Sequence, residues 1–148
     1  RDYAHQLGLR HIWTRILSVY GPNDGHTSLI SALIRSLKNN KDLPLTAGEQ
    51  IWDYLYSEDA AWALYKIAES GTDGKTYVIG SGKGRPLKEY VMDARDIINP
   101  DMKLQFGAIP YSHKQVMYLK ADISELTKDT GWIPKTEFKE GIQKLGDL

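Results

Sequence analysis

The chain has 148 residues, 41% of them hydrophobic and 26% charged, a length and balance that fit one globular domain with a core of its own. Nineteen basic residues offset nineteen acidic ones with no long stretch of one sign, which argues against nucleic acid or an anionic membrane as partner. Without cysteine, disulfides, thiolate nucleophiles and cysteine metal sites are excluded and a cytoplasmic setting is expected; no apolar run approaches the roughly 18 residues of a membrane span.

In chain order, Arg1-Asp2-Tyr3-Ala4-His5-Gln6-Leu7-Gly8 reads as the last turns of a helix stopped at Gly8. Because this helix is entered without a cap, the chain is expected to begin mid-element, as a fragment would. Residues 11–17 (HIWTRIL) are a short, apolar, β-branched run, expected as a buried strand. Residues 19–25 (VYGPNDG) are dense in turn formers and read as a loop. Leu29, Leu33, Ile34 and Leu37 lie at helical spacing and predict an amphipathic helix over 28–38. A short strand is expected over 43–46, and the alternation of residues 50–56 (QIWDYLY) is that of a half-exposed strand. Ser57 suits an N-cap, with Glu58 and Asp59 at the positive end of a helix that runs to about Glu69.

Residues 75–79 (KTYVI) predict a strand, followed by the loop Gly80-Ser81-Gly82-Lys83-Gly84. Pro86 suits a first helical position, with the helix running to about Ile98. A strand is expected over 104–106 and a strand-like stretch over 116–120. Asp122-Ile123-Ser124-Glu125 resembles a capping box for a helix stopped at Gly131, and a last amphipathic helix is expected over 137–145. Three to five short strands alternating with four or five helices imply an α/β or α+β layer structure.

Little in this inventory carries chemistry by itself. The loop over 80–84 follows a strand and precedes a helix, where a phosphate cradle would sit. Yet its spacing is G-x-G-x-G, short of the dinucleotide fingerprint, and Lys83 is followed by Gly84, so no P-loop is present. A plain turn, with Lys83 and Arg85 turned toward a ligand, is the simpler account. The four histidines show no ligand spacing, so no metal site is expected. No Gly-x-Ser-x-Gly elbow occurs. Trp52, Tyr54, Tyr56, Trp62 and Tyr65 fit core and rim packing better than base stacking. Asp2, Asp53, Glu58 and Asp59 are the candidate carboxylates, the last two already suited to the start of a helix.

Four blocks in order carry a resemblance. Arg15-Ile16-Leu17-Ser18-Val19-Tyr20-Gly21-Pro22 resembles the R-x-x-N-V-Y-G-P string of the extended short-chain dehydrogenases, the NAD-dependent epimerase/dehydratase family. Residues 48–61 resemble its G-x-x-x-R-D-Y-I-Y-V-x-D-x-A, and residues 75–82 its x-x-Y-N-I-G-S-G. Asp122 with Ser124, Gly131-Trp132-Ile133-Pro134 and Glu140-Gly141-Ile142 resemble the closing D-x-S-K, G-W-x-P and E-G-I. The resemblance implies an α/β fold, the C-terminal part of an extended Rossmann-type enzyme. Residues 1–148 would then be a single substrate-side domain that includes the last Rossmann strand, with the dinucleotide-binding half lying upstream. It implies NAD or NADP as cofactor, a nucleotide sugar as substrate, and leaves a homodimer open.

In this family a Tyr-x-x-x-Lys pair does the acid/base work. No tyrosine here has lysine four residues on, so no catalytic residue is assigned. The resemblance places the loop of Ser18, Val19, Tyr20, Gly21 and Pro22 at the cofactor's nicotinamide end. It places Ser18, Trp52, Arg85, Tyr111, Lys114 and Gln115 around the substrate. Two departures stand out: the family's asparagine is Ser18, and the arginine before Asp-Tyr is Trp52. Tryptophan cannot reproduce a bidentate guanidinium–diphosphate contact. Trp52 either stacks on a base or sugar or packs, and the diphosphate either passes to Lys83, Arg85 or Lys114 or lies elsewhere. A nucleotide-sugar epimerase, dehydratase or reductase is the expected parent; a stand-alone ligand-binding module and a non-enzymatic NAD(P) sensor are the alternatives.

Overall fold

The computed structural model describes residues 1–146. A short helix α1 (Asp2–Gln6) ends as expected at Gly8, which takes a left-handed conformation. Strand β1 (Trp13–Ile16) follows, then β2 (Val19–Tyr20) and helix α2 (Leu29–Lys38). Ser28 caps α2 by accepting from Ser31 N at 3.2 Å. Strands β3 (Ile51–Trp52) and β4 (Leu55–Tyr56) lead into α3 (Ser57–Ser70). Strand β5 (Thr76–Ile79), strand β6 (Arg85–Pro86) and helices α4 (Leu87–Ile98), α5 (Ser124–Thr130) and α6 (Phe138–Gly146) complete the described chain.

The strands pair two by two. β1 and β5 are parallel, with Trp13 opposite Thr76 and Ile16 opposite Ile79. β2 and β4 are parallel, and β3 and β6 antiparallel. The β2–β4 pair is the wall between two cores, because successive strand residues point to opposite faces. Tyr20 and Tyr56 face one core with Leu33, Tyr90, Phe138 and Ile142. Val19 and Leu55 face the other with Ala63, Ile67, Ile79 and Trp132. Gly21, next in line, lies where any Cβ would collide with Ser57 at the start of α3, so this turn accepts only glycine.

The α/β layer expectation holds, with short strands between helices. Several boundaries differ, each for a physical reason. Residues 50–56 do not form one strand: the chain breaks at Asp53, whose buried carboxylate is drawn toward residues 81, 82 and 121. Val19 and Tyr20 are strand, since pairing with β4 outweighs the turn formers that follow. Residues 43–46 and 104–106 form no strand. Their apolar side chains pack on the first core and Leu45 O accepts a single bond from Ile109 N, so burial is met without a ladder.

Ser57 is the first residue of α3 and makes no side-chain cap. Pro86 belongs to β6, opposite Ile51, because the antiparallel pairing fixes it before the helix begins at Leu87. Asp122 bonds Ser124 N from outside α5, which starts beyond Ile123. The 116–120 stretch contributes only a bridge from Tyr118 to Ile51. Six strands occur among the described residues, more than expected, because extended runs are split, and the helices number six where four or five were expected. Strand β1, expected to be buried, has three exposed residues of four, since only β5 lies against it.

Candidate functional site

Of the residues nominated for the substrate side, Ser18, Trp52, Arg85 and Tyr111 meet at or beside β3. Leu17 N bonds Ile79 O and ends the β1 ladder, and the chain turns at Ser18. Ser18 O then accepts Leu55 N at 3.0 Å, and Ser18 Oγ accepts the indole Nε1–H of Trp52 at 2.7 Å. The two departures from the family strings therefore touch each other. Arg85 is the direct antiparallel partner of Trp52.

Tyr111 reaches the same strand from the other side. Its hydroxyl donates to Gln50 Oε1 at 3.1 Å and accepts Glu49 N at 2.9 Å, which ties its loop to the residues just before β3. Ile51 then bonds Met117 O and Leu119 N, each at 2.9 Å. Lys114 is exposed, and Gln115 turns back to Val116 O at 3.0 Å, so these two lie on the loop without touching β3.

The guanidinium of Arg85 is already engaged. Nε donates to Glu89 at 3.0 Å, Nη2 to Asp93 at 2.9 Å, and the group lies 4.7 Å from the centre of the Tyr90 ring. Partial burial opposes its charge, but the hydrogen bonds it donates to Asp93 and Glu89 outweigh burial and raise its pKa. Arg85 lines a pocket of about 40 Å³ with Tyr54, Ser81, Lys83, Tyr90 and Glu137, room for little more than water. Burial pushes the Tyr90 hydroxyl up to about 12, so it stays protonated and donates to Lys83 O at 2.9 Å. Lys83 pairs with Glu137. Larger open grooves flank this region. One of about 710 Å³ is lined by Ser81, Lys83, Tyr118, Lys120 and Ile133; one of about 500 Å³ is lined by Gly48, Glu49, Lys88 and Phe106.

In the 18–22 loop, Ser18 and Val19 are half-buried and Pro22 is exposed. Tyr20 is buried, its hydroxyl donating to Phe138 O at 3.3 Å, and burial raises its pKa well above the ordinary tyrosine value. The loop thus offers an outside ligand chiefly Ser18, Val19 and Pro22.

Asp53 is the residue whose part the sequence did not disclose beyond its place among the carboxylates. It is wholly buried, and its two oxygens accept from Ser81 N, Ser81 Oγ, Gly82 N and Ala121 N, all within 3.0 Å. The Ser81 and Gly82 amides belong to the glycine-rich turn, so the donors that a phosphate would need there are taken by the chain's own carboxylate. The plain-turn account of residues 80–84 is the one that fits. The alternation of residues 50–56 carried no signal for this clasp, because its donors lie 28 to 68 residues further along the chain. Among the described residues no cluster of three or more His, Asp or Glu could hold a metal ion, and no helix is long and apolar enough to cross a membrane.

Comparison with known proteins places these features in a class. Residues 1–80 match the model of the NAD dependent epimerase/dehydratase family. CDP-abequose synthase of Salmonella typhimurium is 30% identical over 149 residues, covering 97% of this chain and 50% of that protein. Among solved structures, UDP-glucose 4-epimerase of Thermotoga maritima with UDP-glucose superposes with a TM-score of 0.88 at 23% identity, over 99% of this chain and 48% of its own. The dTDP-glucose 4,6-dehydratase of Bacillus anthracis in complex with NAD gives 0.83 at 23% identity, over 99% and 46%. The chain belongs to the NAD dependent epimerase/dehydratase family and has the corresponding part of its Rossmann-type fold. It spans half or less of the length of the curated relatives it matches.

Proposed function

We propose that this chain forms the sugar-nucleotide side of an NAD(P)-dependent enzyme that epimerises, dehydrates or reduces a nucleotide sugar. The dinucleotide-binding half and the acid/base tyrosine belong to another segment of the full-length protein. The observation that carries this reading is the convergence on β3: Trp52 bonded to Ser18, Arg85 opposite Trp52, and Tyr111 anchored to Glu49 and Gln50 just before the strand. Family membership and the match to half of longer relatives support it.

To NAD or NADP this chain offers the loop of Ser18, Val19, Tyr20, Gly21 and Pro22 at the carboxyl end of β1, where open α/β sheets bind ligands. The glycine-rich turn is filled by Asp53 and does not fit a pyrophosphate, so cofactor phosphates would be held elsewhere in the full-length protein. When bound, the cofactor supplies hydride transfer. The part of this chain is to hold the sugar beside it.

The test is Arg85→Ala in the full-length enzyme. Substrate affinity is expected to fall by about 1.5–3 kcal/mol, the cost of a lost charged hydrogen bond, while cofactor affinity barely changes. An unchanged substrate constant, or equal losses for both ligands, removes Arg85 from the site. The isolated 148-residue chain is expected to turn over no NAD(P)H with any nucleotide sugar, and turnover would refute the division of labour.

A further inference from the structure

We propose that Trp52 is a positioning residue that turns Ser18 into a hydrogen-bond donor for an uncharged oxygen of the sugar, a hydroxyl or keto group, and not for a phosphate. The inference rests on the sugar-nucleotide reading of the site and assigns one of its contacts.

An indole N–H can only donate. In the 2.7 Å contact between Trp52 Nε1 and Ser18 Oγ the serine is therefore the acceptor. Its backbone carbonyl is held at the same time by Leu55 N, so the residue is fixed at two points. Trp52 in turn packs against the first core and is held from behind. One acceptor direction of the serine is thus used by the protein, and Ser18 Oγ has no other partner among the described residues. The hydroxyl proton is left for a ligand, and accepting from the indole polarises the O–H and strengthens it as a donor.

Charge selects what it meets. Trp52 is neutral where an arginine would carry a cation. Across β6, Arg85 is matched by Glu89 and Asp93, and Asp93 also meets Lys139 at 3.3 Å. At this point on β3 the neutral Trp52 gives a dianionic diphosphate no cation to bind, whereas a neutral oxygen needs one donor.

The experiment measures binding of UDP-, dTDP-, CDP- and GDP-glucose, and of the matching nucleoside diphosphates, to the full-length protein and its variants. Ser18→Ala is expected to weaken the bound sugar nucleotide about threefold to tenfold, the value of one hydrogen bond, and to leave the nucleoside diphosphate unchanged. Trp52→Phe, which keeps the ring and removes the donor, is expected to give a smaller loss with the same pattern. Ser18→Ala combined with Trp52→Phe should be no worse than Ser18→Ala alone, and Ser18→Thr should bind like the wild type. Equal losses for sugar nucleotide and nucleoside diphosphate, or additive losses in the double variant, would overturn the inference while leaving the site reading intact. If the wild type binds none of the four sugar nucleotides, the site reading itself falls.

Discussion

Asp53 shows how much one side chain can organise. A carboxylate removed from water is costly unless its lone pairs are met, and here four donors meet them: two backbone amides and a hydroxyl from the turn after β5, and the Ala121 amide from a distant segment. The clasp fixes where the chain leaves β5, hence where β6 and Arg85 begin. Asp53→Asn replaces one acceptor oxygen by an NH2 group that points at amides. Two donors lose their partner, and a stability loss of about 2–3 kcal/mol is expected in chemical denaturation. Loss within experimental error would mean that the carboxylate charge is not what holds the turn. Gly21 makes the complementary point: its lack of a side chain lets Ser57 approach and seats α3 against the loop.

Among the elements, α5 is tied to the β5 region by a charged cluster. Asp129, near the end of the helix, accepts from Lys75 Nζ at 2.7 Å, Tyr77 Oη at 2.6 Å and Thr72 Oγ1 at 3.2 Å. Lys75, with Tyr77 second, holds its pKa down to about 2, and the hydrogen bonds to Asp129 and then Glu125 raise that of Lys75 above the ordinary lysine value. A depressed carboxylate stabilises the fold above its unfolded pKa and loses that contribution as pH falls through the folded value. The melting temperature of the wild type should therefore exceed that of Asp129→Asn at neutral pH, and the gap should shrink below about pH 4, the unfolded aspartate value. At the alkaline end, Lys75 keeps its contribution below about pH 10.4 and loses it above, as pH approaches its raised value. A gap that widens on acidification would contradict the clasp.

At the scale of the whole molecule, the distribution of exposed apolar residues is uneven. Tyr3, Leu7, Leu9, Trp13 and Ile16 are all exposed, Trp13 at 58% and Ile16 at 48%, and they lie together in sequence on α1, β1 and the turn between. Side chains of β1 alternate, so Trp13 and Ile16 lie on opposite faces, and its edge away from β5 has no partner among the described residues. An unpaired edge beside apolar faces invites association. The isolated 148-residue chain should sediment with a concentration-dependent mass and bind an apolar-surface dye, and Trp13→Lys should reduce both. A strictly monomeric chain with no dye binding would show that this surface is tolerated in water.

The sequence by itself determined the helices and β5 closely, because apolar spacing, Ser28 before α2, and Gly8 and Gly131 as stops are local signals that the fold obeyed. It also carried the family, through strings such as Val19-Tyr20-Gly21-Pro22 and Tyr54-Leu55-Tyr56-Ser57. Tertiary structure decided what depends on partners far apart in sequence. The break at Asp53 answers donors 28 and 68 residues away. The pairing of Trp52 with Ser18 joins two positions 34 residues apart, and Arg85 comes into place as the cross-strand neighbour of Trp52. Strands of two residues carry no periodicity to read, so only the packing of two cores against one β2–β4 wall could say where they form.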